Sequence, residues 1–357
     1  MGGPARWLLE AAAEADLGEA LAFAAAREAP LFVLGGGSNL LCADRGLDAA
    51  VLRVRLRGIA VERQGQGERM LVRAAAGEPW DALVALTVEE GWAGLECMSG
   101  IPGDVGATPI QNVGAYGQEV AETIVEVRAI DRATGTSVVL DNARCGFGYR
   151  DSVFKREDRG RFLVTAVTFA LTPGGAAAVR YPELRRALGE GKAAPPLAEV
   201  RQAVIALRRG KSMVWDPADE NGRSAGSFFM NPTLDAEAFA VARSRIEAAG
   251  VLGPGEAPPT FPAGEGRVKL PAAWLIERAG FQKGTRHGQA GISTRHALAL
   301  VNRGGATASE ILELAARVRR GVMERFGVAL TPEPDLWGFT AEELAVVTGG
   351  TGGTGAV

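Results

Sequence analysis

Ser99-Gly-Ile-Pro-Gly-Asp-Val-Gly-Ala-Thr-Pro-Ile-Gln-Asn-Val-Gly-Ala-Tyr-Gly-Gln-Glu-Val120 crowds five glycines and two prolines among small and aliphatic residues. Its only ionisable side chains are Asp104, Tyr116 and Glu119. Glycine permits positive φ and close approach to the main chain, whereas proline fixes φ and removes a donor. Such a stretch offers backbone N–H groups with almost no side-chain bulk, a surface suited to a large planar, phosphate-bearing cofactor. A spacer would be more polar, and a core strand would hold fewer glycines. A second cluster, Gly35-Gly-Gly-Ser-Asn39, cuts off the apolar run at residues 31–34. Neither cluster is the dinucleotide fingerprint, since Leu40 stands where the third glycine belongs, and no Gly-x-x-x-x-Gly-Lys-Ser/Thr loop occurs. Both common nucleotide folds are thereby disfavoured. What remains is a cofactor held by two loops from different parts of the chain.

The pattern around these loops mixes strands and helices without strict β-α-β alternation, which predicts an α+β fold. Strand-like runs lie at residues 31–34, 59–63, 70–75, 124–130, 137–140 and 162–171. Helices are predicted over 79–90 and 197–209, and over 16–28 with Asp16 as N-cap and Glu19 completing a capping box. A polar stretch at 215–223 marks a domain boundary. Further helices follow near 235–249, 271–279 and 309–326, the last with a Thr307/Glu310 capping box. The Gly/Thr-rich end from Gly349 to Gly355 reads as disordered.

Composition narrows the function. A length of 357 residues with 47% apolar and 23% charged content is that of a globular protein of two or three domains. A net charge of -3 argues against bulk binding of nucleic acid or anionic membrane. No apolar run approaches the roughly 20 residues of a membrane span, and no signal peptide opens the chain, so a cytoplasmic location is expected. Cys42, Cys97 and Cys145 form no Cys-x-x-Cys pair and read as reduced thiols. With His287 and His296 the only histidines, no metal site is expected. The sequence holds five lysines against thirty-four arginines, so Lys155, Lys211 and Lys269 draw notice as compact cations within the segments singled out below.

Five ordered motifs carry a resemblance: Leu34-Gly-Gly-Gly-Ser-Asn-Leu-Leu41, Gly100 to Gly117, Tyr149-Arg-Asp-Ser-Val-Phe-Lys155, Gly226-Ser-Phe-Phe-Met-Asn-Pro232 and Pro332-Glu-Pro334. Together they resemble the UDP-N-acetylenolpyruvoylglucosamine reductase family, over nearly the whole chain. The resemblance implies an FAD-binding region of the vanillyl-alcohol-oxidase (PCMH) type over residues 1–174, in two subdomains of about 1–70 and 71–174. It implies next a linking segment over 175–214, a C-terminal α+β substrate-binding domain over 215–330, a segment carrying a catalytic glutamate over 331–340 and a disordered tail over 341–357. NADPH would reduce a tightly bound FAD, which would deliver hydride to the enolpyruvyl double bond of a UDP-sugar. These small molecules are the partners implied, with no nucleic acid and no membrane insertion.

By the same resemblance FAD lies on Gly35, Gly36, Gly37, Ser38 and Asn39 of the first loop. In the second it meets Ile101, Pro102, Gly103, Gly106, Asn112, Gly114, Ala115, Tyr116 and Gly117. Arg150, whose planar fork matches a carboxylate, would stabilise charge developing on the substrate carboxylate, aided by Glu333. Ser227 would supply the proton to the adjacent carbon, with Phe228 and Phe229 helping to dry the site. Tyr181, Arg208, Lys211 and Asn231 match substrate contacts. Lys269 and His296 lie nearby in sequence without an assigned role, core or surface positions being the plainer reading for both. Family members also carry a further strand ahead of Gly2-Gly-Pro-Ala5, so the first subdomain is expected to lack an edge strand.

Three rivals stand beside this reading. Gly222-Arg-Ser-Ala-Gly226 fits a hydrolase nucleophile elbow, but that elbow needs a buried strand before it and a helix after it, and residues 216–221 are polar. A non-catalytic flavin- or UDP-sugar-binding regulator would have lost Ser227, Arg150 or Glu333. An oxidase using O₂ would not need the C-terminal motifs.

Overall fold

The computed structural model describes residues 2–189 and 194–349. It resolves into two compact units that do not follow chain order. The first comprises Ala5–Gly37 and Asp48–Val214; the second comprises the residues up to Pro4, Ser38–Leu47 and the chain from Trp215 onward.

In the first unit an antiparallel sheet runs in the order Ser137–Asp141, Ile124–Asp131, Phe162–Pro173, Arg69–Ala75, Ile59–Gln64. Phe162–Pro173 sits in the middle because it is a near-continuous run of β-branched, aromatic and aliphatic residues, buried along most of its length. Ile59–Gln64, exposed throughout, forms one edge, where Glu62 and Arg63 discourage pairing with a further strand. A smaller sheet orders Ala5–Ala11, Leu47–Val54 and Leu31–Leu34, the last two parallel. The short run Leu47–Val54 was not anticipated as a strand. Helix Trp80–Glu89 buries Trp80 completely against Phe169. Helix Glu14–Ala25 begins earlier than its sequence indicated. Asp16 is not its N-cap but lies inside the first turn, where its carboxylate accepts the N–H groups of Ala12 and Ala13.

The second unit holds a sheet ordered Ser224–Ser227, Ala299–Asn302, Ala290–Ile292, Arg286–His287. Helix Ala308–Phe326 covers its core with Ile311, Leu314, Ala315, Val318, Val322 and Phe326, an i, i+3/i+4 stripe. The Thr307/Glu310 capping box opens that helix and Gly327, at φ 71°, closes it. Asp335–Trp337 pairs in parallel with Leu40–Cys42, and Asp44 accepts the N–H groups of Ala308 and Ser309 at 2.7 and 3.0 Å. These bonds draw residues 38–47 out of the 1–174 region and into the C-terminal unit. The segment 175–214 groups with the first unit.

The tail expectation is corrected over its first part. Ala341–Thr348 is a helix with a Thr340/Glu343 capping box, and it buries Leu344 and Val347. Residues 350–357 lie outside the described residues. No helix among the described residues is long and apolar enough to cross a membrane.

Candidate functional site

In the first unit the two glycine clusters meet main chain to main chain. A Cβ on Gly36 would stand 2.7 Å from Cα of Gly103, and one on Gly106 would stand 2.5 Å from Cβ of Ala76. Only glycine fits at either contact. The Ser99–Val120 segment is fixed by its backbone: Trp80 N–H donates to Gly103 O (2.9 Å), Val105 N–H to Glu78 O (2.9 Å) and Gly106 N–H to Ala76 O (2.8 Å). Gly100 N–H donates to Asp81 at 2.6 Å, and Arg201 grips the same carboxylate with a fork of 2.6 and 2.9 Å. Burial disfavours the charged form of Asp81, but Arg201 and the Gly100 N–H outweigh it and hold the carboxyl below its usual range.

Electrostatics beside these loops are positive. Asp104 is pushed up by burial, against the pull of Arg57, Arg53 and Arg55. Arg53 Nε is buried without a hydrogen-bond partner. Glycine loops free of side-chain bulk, beside three arginines of which one has an unanswered donor, fit a cofactor carrying phosphates.

Asn112 is tied into the protein by its side chain. At φ 46° it sits 1% exposed, and its Nδ2 donates to Glu119 Oε2 and to Gly148 O, both at 2.8 Å. Its Oδ1 accepts from Ala121 N–H at 3.1 Å. Both amide donors and the oxygen are engaged within the protein, so this side chain shapes the loop. Arg150, itself at φ 55°, lies against the same loop: Nη2 donates to Gly114 O at 2.7 Å and Nη1 to Asn112 O at 3.3 Å. Ser152 Oγ donates to Ile110 O, and Lys155 Nζ to Arg150 O at 3.3 Å. The Tyr149–Lys155 motif is thus a clasp on the loop, with the guanidinium at its tip.

Tyr116, Tyr181, Arg208 and Lys211 come together. The tyrosine rings meet edge to face at 5.8 Å and 84°, and Lys211 Nζ stands 5.6 Å from the Tyr116 ring centre while pairing with Glu183 at 2.6 Å. Arg208 is 9% exposed; its Nη2 donates to Met213 O at 2.7 Å and its Nε has no partner. Burial pushes the Tyr116 phenol up to about 12, against the pull of Arg208. A Cβ on Gly100 would approach Arg208 Cδ and Nε at 3.6 Å, which links the cluster to the opening loop.

In the second unit Ser227 ends its strand opposite Ala299, after Gly226 at φ 74°. Its Oγ lies 3.4 Å from His296 Nε2. Glu333 is brought alongside by backbone pairing: its N–H donates to Phe228 O at 2.9 Å, and Phe229 bridges Pro332. Asn39 Nδ2 donates to Glu333 O at 3.2 Å, and Asn39 O accepts from Asp335 N–H at 3.0 Å, so Asn39 fixes the glutamate's main chain. Asn231 Oδ1 accepts the Ala272 N–H at 2.8 Å at the head of helix Ala272–Arg278. Lys269 lies in the short strand Val268–Lys269. Phe228 and Phe229 are core residues, 2% and 1% exposed and edge to face, packed into the unit's interior.

Sequence reasoning missed the His296–Ser227 pairing, since sixty-nine positions separate them and only strand pairing joins them. The elbow rival falls: Ser224 opens a strand, and no helix follows before Ala236. Among the described residues, no group of three His, Cys, Asp or Glu side chains is placed to hold a metal.

Comparison with known proteins agrees with this architecture. Residues 5–141 match the FAD binding domain family, and residues 216–337 match the UDP-N-acetylenolpyruvoylglucosamine reductase C-terminal domain. The UDP-N-acetylenolpyruvoylglucosamine reductase of Thermobifida fusca is 52% identical over 87% of this chain and 86% of its own. That of Streptomyces coelicolor is 52% identical over 94% of this chain and 86% of its own. The crystal structure of the Thermus caldophilus reductase superposes with a TM-score of 0.60 at 26% identity, covering 92% of this chain and 91% of that one. The chain belongs to the UDP-N-acetylenolpyruvoylglucosamine reductase family.

Proposed function

We propose that the protein reduces the enolpyruvyl ether of UDP-N-acetylglucosamine to UDP-N-acetylmuramate for peptidoglycan, with NADPH as reductant and FAD as carrier. The observation that carries this is the close meeting of Gly36 with Gly103 near Asp104, which feels the charges of Arg53, Arg55 and Arg57, in a chain whose relatives are reductases of this name. FAD, which the loops at residues 35–37 and 99–117 would hold, would supply the transfer of hydride from NADPH to the methylene carbon of the enolpyruvyl group.

The protein supplies the rest. Hydride addition drives charge onto the substrate carboxylate, and the Arg150 guanidinium answers it with a permanent, planar cation. Its anchorage on the carbonyls of Asn112 and Gly114 supports a fixed orientation. Glu333, its main chain held by Phe228 and Asn39 between two prolines, assists in polarising that carboxylate. The Ser227 hydroxyl gives its proton to the carbon beside the carboxylate. A hydroxyl is a weak acid in water but sufficient toward an enolate carbon in a dry site. The neighbouring imidazole of His296 orients that hydroxyl. Tyr181, Arg208 and Lys211 take the uridine diphosphate portion, and the unanswered Arg208 Nε supports an anionic ligand there. We place the enzyme in the cytoplasm, where its three free cysteines stay reduced.

The purified protein should show a flavin spectrum, and under anaerobic conditions it should oxidise NADPH beyond one equivalent per flavin only when the enolpyruvyl sugar nucleotide is added. A colourless protein that cannot be reconstituted with FAD would overturn the reading. Flavin bound without any such turnover would favour the regulator.

A further inference from the structure

Beneath the Tyr116–Tyr181 pair lies a carboxylate that the chemistry above does not use. Glu96 is 1% exposed and accepts three hydrogen bonds. Oε2 takes the Gly94 N–H at 2.7 Å, and Oε1 takes both the Ala178 N–H at 2.8 Å and Gln118 Nε2 at 3.2 Å. Gln118, 2% exposed, returns its own oxygen to Cys97 N–H at 2.9 Å. One buried side chain therefore ties the end of the glycine-rich loop, at Gln118, to the strand exit at Ala178. Tyr116 stands two residues before Gln118, and Tyr181 three residues after Ala178. At the surface Arg180 adds a rim contact, donating to Gly117 O at 3.2 Å and pairing with Glu122 at 2.8 Å. Gly117, at φ 81°, lets the two segments close, since a Cβ there would meet Arg180 Cβ at 3.3 Å.

We infer that Glu96 is a positioning residue for substrate capture, holding the Ala178–Tyr181 segment in register with the Tyr116 loop so that Tyr181 stands over Tyr116. All three partners of Glu96 are donors, so only an acceptor on both oxygens satisfies them; an amide in its place turns an N–H₂ toward a donor. The rim pair Arg180–Glu122, its arginine side chain 59% exposed, is screened by solvent and does not substitute for a buried tie. The inference rests on Tyr181 touching the UDP-sugar, as proposed above.

The experiment uses the FAD-loaded enzyme and Glu96→Gln. Amide hydrogen exchange at Ala178–Arg180 should quicken by about tenfold or more, as expected when a local tie is released while the unit stays folded. The KM for the enolpyruvyl sugar nucleotide should rise about tenfold, with flavin reduction by NADPH unaltered. Tyr181→Ala should raise the KM comparably, and the double variant should rise no further, as for residues acting as one unit. Gln118→Ala, which leaves the carboxylate its two backbone donors, serves if Glu96→Gln does not fold, and should shift exchange and KM in the same direction by less. Unchanged exchange at Ala178 would overturn the inference, as would KM effects that add in the double variant. If Tyr181→Ala alone leaves KM unchanged, the Tyr181 assignment fails, and the Ala178 exchange still decides whether Glu96 holds the segment.

Discussion

The Ser99–Val120 loop and the Ser227–Glu333 cluster are built by opposite means. The loop is shaped by its main chain: Gly100, Gly103 and Gly117 take positive φ, Gly36 and Gly106 permit contacts that a Cβ would block, and neighbouring backbone groups hold it. The cluster is shaped by ordinary strand pairing, which sets Ser227 opposite Ala299 and Glu333 beside Phe228, and leaves the side chains to act. On the proposed reading the loop acts through its backbone shape, whereas the cluster, of generic shape, acts through two or three side-chain atoms. A substitution in the loop should therefore remove the cofactor, whereas one in the cluster should spare the cofactor and remove the chemistry.

The largest expected effect is at Gly36. Gly36→Val drives a branched side chain into the Gly103 backbone, and overpacking of this kind costs about 1–3 kcal/mol or more, a roughly fivefold to 150-fold loss of a bound state. Flavin absorbance per protein after purification should fall to a tenth or less; a full flavin complement would break the comparison. A smaller change follows at His296. His296→Ala leaves Ser227 Oγ without its 3.4 Å neighbour, and turnover should drop by roughly tenfold, in the range of one lost orienting hydrogen bond, with flavin content intact. Equal turnover in variant and parent would detach His296 from the reaction.

Acid separates the regions again. The Asp81 carboxyl is held below its usual range, so its contribution is complete above the unfolded value of about 3.9 and is lost as pH falls through the folded value. Protonation frees Gly100 and Arg201 together, and flavin fluorescence should rise in a step below about pH 4. Asp81→Asn should release flavin without that step. The smallest effect is at Asp44, which caps helix Ala308–Phe326 in the second unit. Asp44→Ala should lower stability by about 1 kcal/mol, read as a fall of a few degrees in Tm, and leave flavin binding alone.

Much of this was legible in the sequence because it depends on local chemistry. Glycine crowding marked both loops, hydrophobic runs marked the sheet of the first unit, and Thr307 with Glu310 marked the start of helix Ala308–Phe326 in the second. What escaped depends on partners distant in the chain. The partners of Asn112 and Asn39 were not visible, since an amide in a glycine loop gives no sign that it also bonds Gly148 or Glu333. The transfer of residues 38–47 to the C-terminal unit rests on one parallel strand pair and the Asp44 cap, neither visible locally. Ala341–Thr348 was hidden by the glycines that follow it, although Thr340 and Glu343 spell a capping box.

The central claim, that the loop holds the cofactor and the cluster performs the proton chemistry, is most directly met by anaerobic stopped-flow spectroscopy of Ser227→Ala. Flavin reduction by NADPH and its reoxidation by the enolpyruvyl sugar nucleotide are followed separately. The account predicts reduction within about twofold of the parent and reoxidation slowed by roughly 10²- to 10⁴-fold, the usual worth of a general acid. Equal slowing of both half-reactions, or a reoxidation rate unchanged, would contradict it.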